Sequence, residues 1–135
     1  MEELHLLPEQ DLLPGLHLLP GERLDGINEN LRLIQKTDGL TFGTDAYLLA
    51  AFLRSGSKTM AAELGGGTGV LSLLALTKQK ASRTDVYEIQ PEFAELCRRN
   101  AALNGLTDRM HCSAAMCGRL PAVSRWIWYT PILPI

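Results

Sequence analysis

The chain has no apolar stretch long enough to span a bilayer, and no basic start followed by an unbroken apolar run, which a secretory segment would need. Its leucine-rich opening is acidic and is interrupted by Pro8, Pro14 and Pro20, so a cytoplasmic protein with no membrane partner is expected. No sign of charge dominates: the net charge of −2 gives no global attraction to nucleic acid, and RNA contact would need a local basic patch or a partner. Cysteine is scarce. Cys97, Cys112 and Cys117 show no paired ligand spacing, and buried or incidental thiols in a reducing compartment are expected. His5 and His17 stand without a carboxylate or thiol cluster, so no metal is expected.

What is present is enough apolar material, 46% of 135 residues, to bury one core. Leu4-His5-Leu6-Leu7-Pro8 recurs as Leu16-His17-Leu18-Leu19-Pro20. Copies this short are not solenoid modules, and residues 1–21 are expected to be a variable lead-in. Ordered sequence is expected from Glu22-Arg23-Leu24-Asp25, with a short strand over residues 31–35 and a turn at Thr37-Asp38-Gly39. Thr44 is placed to cap a helix over residues 45–53. A weak strand over 59–64, an apolar helix from Val70, a strand within 81–89 and a helix opening on Pro91 follow. Asn104-Gly105 supplies that helix's stop, and Met110-His111-Cys112 starts a third strand. This alternation predicts an α/β fold with an open parallel sheet.

The chemistry is concentrated in Glu63-Leu64-Gly65-Gly66-Gly67-Thr68-Gly69, where a strand turns sharply into a helix. Without side chains, Gly65, Gly67 and Gly69 let the backbone bend and let a ligand approach its N–H groups. A dinucleotide fingerprint would want glycine at position 70, which is Val70, and no Lys-Ser or Lys-Thr pair follows as a P-loop requires. Glu88 lies 19 positions beyond Gly69, the separation of one helix and a second strand. There its carboxylate is placed to accept hydrogen bonds from both hydroxyls of a ribose. Glu63 is expected to face the cationic methionyl end of S-adenosyl-L-methionine, directly or through water. The bland alternative is a glycine turn with an unrelated surface glutamate.

From Glu22 to about Ser113 the chain resembles the bacterial tRNA adenine-N6 methyltransferases that act on valine tRNA, which are class I, Rossmann-like enzymes. The resemblance is carried by Glu22-Arg23-Leu24-Asp25 with Ile34-Gln35, and by Phe42-Gly43-Thr44-Asp45-Ala46 with Leu48-Leu49-Ala50-Ala51-Phe52. The glycine motif adds to it, with Tyr87-Glu88-Ile89-Gln90 and Arg98-Arg99-Asn100. It implies S-adenosyl-L-methionine as cofactor, tRNA as partner, and the N-terminal half of that fold. It also implies that Thr44 and Asp45 help to close the cofactor pocket. Arg98 and Arg99 are placed to touch RNA phosphate or, as the preferred reading, to line a solvated helix face. A cofactor-binding fragment without catalysis, and a methyltransferase acting on a protein glutamine amide or on guanine, are the alternatives. The Phe42 to Phe52 stretch favours the tRNA lineage over another substrate class.

The same resemblance implies two motifs that the chain does not spell: an Asp after the third strand to hold the adenine of the cofactor, and Asn-Pro-Pro-Tyr to hold the target base. Residues 114–135 read instead as an out-of-frame tail. Shifting the codons by one position forces Asp between Trp126 and Ile127 and Val between Trp128 and Tyr129, and permits Ser-Asn-Pro-Pro-Tyr over Thr130 to Ile135. A frameshift near residues 113 to 115 is therefore expected, giving three segments, 1–21, 22–113 and 114–135. A nucleotide sequence that does not spell the motif in the shifted frame would end that idea. The rival reading makes Trp126, Trp128 and Tyr129 a stacking surface for single-stranded RNA. As written, the chain is expected to hold a methyl-donor pocket without the acceptor motif.

Overall fold

A computed structural model describes residues 5–7, 12–38, 44–53 and 60–114. They form two three-stranded sheets joined through helices. β1 (His5–Leu7), β2 (Glu22–Gly26) and β3 (Arg32–Lys36) make an antiparallel sheet in that order. After α1 (Thr44–Phe52) come β4 (Met60–Leu64), α2 (Val70–Thr77), β5 (Arg83–Glu88), α3 (Pro91–Leu103) and β6 (Met110–Ala114). The last three strands form a parallel sheet ordered β4, β5, β6. The α/β expectation with a parallel sheet holds, as a partial Rossmann-like arrangement. Gly39, Phe42-Gly43, Ser55-Gly56-Ser57, Thr59 and residues 115–135, with their tryptophans, lie outside the described residues.

α2 supplies a large share of the core behind the parallel sheet. Every residue from Val70 to Leu76 is buried, and Leu71, Leu73, Leu74 and Leu76 are at most 1% exposed. Each such leucine contributes about 1.5–3 kcal/mol of apolar burial. Ala46 and Ala50 of α1 and Leu53 just after it join the same core, along with Val86, Cys97 and Met110. In α3 Pro91 occupies the first turn, where a missing N–H costs nothing, and Gly105 follows the helix at φ 66°.

The antiparallel sheet is the part the sequence reading did not anticipate. One copy of the leucine repeat becomes β1, pairing Leu7 with Leu24. The other does not become a strand. The Leu19 carbonyl accepts the Glu22 N–H at 3.0 Å, so this copy sits in the turn into β2, and Leu16 and Leu18 pack against Leu24, Ile34, Leu96 and Leu103. His5–Leu7 and His17–Leu19, identical in sequence, thus take different structures.

Two further expectations change. Cys97 of α3 and Cys112 of β6 are joined as a disulfide, with Cα atoms 6.2 Å apart. The pairing was invisible as a spacing because it depends on β6 lying beside α3. Arg99 does not lie on a solvated face. It makes a two-pronged ion pair with Glu22, at 2.7 and 2.9 Å, and also donates to the His17 carbonyl. Arg98 is exposed and engages Glu95 and the Cys112 carbonyl.

Candidate functional site

The site lies where β4 and β5 end side by side. Parallel pairing sets Leu64 against Tyr87, and the Gly65 N–H donates to the Tyr87 carbonyl at 2.8 Å. The glycine turn therefore leaves the sheet directly beside Glu88. Gly65, Gly67 and Gly69 all have positive φ (72°, 54° and 84°), which side chains disfavour. A Cβ on Gly67 would meet nothing within 4 Å, so open space faces the turn there. Gly69 is closed in: a Cβ would come within 2.8 Å of the Cys97 sulfur and would also strike Met110. Gly66, which the spacing argument passed over, is needed for contact rather than conformation, since a Cβ there would collide with Val86.

Glu88 closes the turn. One carboxylate oxygen accepts the Gly67 N–H at 2.9 Å and the other accepts the Gln90 N–H at 3.0 Å. A carboxylate has about four lone-pair positions, so two remain for other donors. Ile89, 60% exposed, adds an apolar surface next to this acid.

Glu63 occupies a different position from the one its place in the motif suggests. It is 1% exposed, and its carboxylate accepts the Ser72 N–H at 3.1 Å and the Ser72 hydroxyl as well. Gly69 has no side chain with which to cap α2, and Ser72 is the third residue of that helix. Glu63 reaches across from β4 and performs the capping that residue 69 cannot. Burial pushes its carboxyl from the ordinary 4.5 up to about 7; the Ser72 hydrogen bonds pull the other way, and the charge of Glu88 adds to the rise. Ser72 was not legible as a partner because its neighbours Val70 to Leu76 read as a uniform apolar run.

The structure brings together Glu63, Gly65, Gly67, Gly69 and Glu88. Asp45 is exposed in the first turn of α1, a helix that packs on α2, and Thr44 begins that helix, with its side chain outside the described residues. Among the described residues no group of three or more His, Cys, Asp or Glu could hold a metal ion, and no helix is long and apolar enough to cross a membrane.

No family model matches the chain. In sequence it is 36% identical over 73 residues to a tRNA1(Val) (adenine(37)-N6)-methyltransferase of Shewanella amazonensis, covering 54% of this chain and 31% of that protein. It is 37% identical over 59 residues to a ribosomal protein L11 methyltransferase of Pelobacter propionicus, covering 44% of this chain and 19% of that one. In structure it superposes on P. horikoshii TYW2, solved in complex with MeSAdo, with a TM-score of 0.64, 17% identity, and coverage of 78% of this chain and 40% of that one. The chain has a class I methyltransferase fold. It spans less than a third of the length of the curated relatives it matches. Within that fold the glycine turn and Glu88 stand at the carboxyl ends of adjacent parallel strands, where open α/β sheets hold their ligands.

Proposed function

We propose that the described residues form the S-adenosyl-L-methionine-binding portion of a methyltransferase whose acceptor is the N6 amine of an adenosine in tRNA. The observation that carries the cofactor reading is the hydrogen bond from the Gly67 N–H to Glu88. It draws an open, side-chain-free turn up to a carboxylate that keeps lone pairs for two ribose hydroxyls. The residues fit the group: Gly67 leaves room for its close approach, Gly65 bends the chain with a positive φ, Ile89 offers an apolar face for its base, and Gly69 lets the turn enter α2. Glu63 then braces the turn from beneath through Ser72, in place of touching the methionyl end. Thr44 and Asp45, at the head of the helix packed on α2, are the residues proposed to close the pocket.

The bound cofactor would supply a methyl group already made electrophilic by its sulfonium, so the protein's part is to bind and orient. The acceptor assignment rests on the relative named for tRNA1(Val) and on the Phe42 to Phe52 stretch. Titration calorimetry of the full chain with S-adenosyl-L-homocysteine tests the cofactor reading. Saturable binding is expected, weakened about tenfold to a hundredfold in Glu88→Ala by loss of hydrogen bonds to a charged group. A folded chain that gives no binding heat overturns it. Because the chain does not spell the acceptor motif, the acceptor assignment is tested on the gene read in the shifted frame. With methyl-labelled cofactor, label entering tRNA supports it, and label entering ribosomal protein L11 instead, or no label in tRNA, overturns it.

A further inference from the structure

α3 meets the free edge of β3 in an unusual way. The Asn100 Oδ1 accepts the Ile34 N–H at 2.7 Å and its Nδ2 donates to the Ile34 carbonyl at 3.0 Å. One helical turn later, the Asn104 Oδ1 accepts the Arg32 N–H at 2.9 Å and its Nδ2 donates to the Arg32 carbonyl at 2.7 Å. Two amide side chains thus pair with the strand edge as a neighbouring strand would. The spacing explains why. Four residues of helix advance about 6 Å, and two residues of strand advance about 6.7 Å. An i, i+4 pair of asparagines therefore matches an i, i+2 pair of strand residues.

The two asparagines differ in one respect. Asn100 is fully buried, and its Nδ2 makes a second donation, at 2.9 Å, to the carbonyl of Thr68, between Gly67 and Gly69. The hydrogen bonds of the Asn104 side chain go to Arg32 and Asn100 among the described residues, none of them to the turn, and it lies nearer the surface. One amide group therefore holds both β3 and the glycine turn, which are 66 and 32 residues away from it in the chain. Both hydrogens of its NH2 group are used, so the link has no slack: moving β3 takes a hydrogen away from one carbonyl or the other.

We infer that Asn100 is a positioning residue that couples the antiparallel sheet to the glycine turn, so that ligand affinity at the turn depends on β3 being seated. The inference rests on the proposed cofactor site, and by linkage the coupling runs both ways. The test uses the full chain, with amide hydrogen exchange and S-adenosyl-L-homocysteine as probe. In the wild type, saturating ligand should slow exchange at Ile34 at least threefold more than at Arg32; equal slowing overturns the inference. Asn100→Ala and Asn104→Ala should both speed exchange in β3, but only Asn100→Ala should speed it across residues 65–69 and weaken ligand binding about tenfold or more. If Asn104→Ala loosens the turn equally, the asparagines act only as sheet anchors and the coupling is refuted. If the wild type binds no ligand, the cofactor reading fails, and the exchange contrast between the two variants still decides the coupling.

Discussion

The two sheets bury carboxylates by opposite means. In the antiparallel half, the Glu22 side chain is 2% exposed and faces a guanidinium. Burial alone would raise its carboxyl, but the hydrogen bonds and charge of Arg99 carry it below the ordinary 4.5. In the parallel half, Glu63 is buried against the neutral donors of Ser72 and sits near a second carboxylate, so it rises to about 7. The first arrangement is an ion pair that fastens one part of the chain to another. The second holds a turn in shape at some electrostatic cost, as a site built for a ligand often does. Packing follows the same division. The parallel half is joined by leucines and by Gly66 and Gly69, which leave no room for a side chain. The antiparallel half reaches α3 through Leu24 and Ile34 against Leu96 and Leu103, and adds the polar anchors Asn100, Asn104 and Arg99.

That contrast can be broken most severely at Gly69. Gly69→Ala adds overpacking against Cys97 and Met110 to left-handed strain at φ 84°. A loss of about 4 kcal/mol in urea unfolding is expected. A loss below about 1 kcal/mol would mean the turn is not closed in as described.

Next in size is the pH response of Glu63. Its folded value lies above its unfolded one, so the folded state binds the extra proton. Stability should fall as pH rises from about 4.5 to about 7, by up to about 3 kcal/mol, and level off above. Glu63→Gln keeps an acceptor for Ser72 and should flatten this slope. An unchanged slope in the variant would remove Glu63 as its source.

The smallest effect is at Arg99. Arg99→Ala leaves the Glu22 carboxylate nearly buried without its partner, and a loss of about 2 kcal/mol is expected at neutral pH. Here the sign is reversed. Glu22 is lowered in the fold, so its contribution is full above the unfolded value and disappears as pH falls through the folded one. The variant should therefore match the wild type in acid and fall behind it near pH 7. A constant deficit at all pH values would assign the loss to packing alone.

Much of the parallel half was legible in the sequence, because each of its elements carries a local signal. The glycines mark the turn, Pro91 the start of α3, Asn104-Gly105 its end, and Glu88 the close of β5. The antiparallel half was less legible. Its strands are short, β1 falls in a leucine repeat that reads as a lead-in, and its anchors come from residues distant in the chain. Glu63 shows the same limit within the site: the sequence marks it as the acid ahead of the glycines, but only the folded turn brings Ser72 beneath it. Asn100 was noticed as part of a family-like stretch, with no local pattern to show that it binds two backbones at once.

The anchors on α3 also have a consequence for the order in which the chain is made. β1, β2 and β3 leave the ribosome first, yet Ile34, Arg32 and Glu22 bind residues 66, 72 and 77 positions further on. At roughly 5–20 residues per second, the nascent sheet waits several seconds for the helix that seats it. During that interval the edge of β3 presents unpaired N–H and C=O groups of the kind that recruit other strands. A slow stretch of translation placed before residue 100 would lengthen this exposed interval.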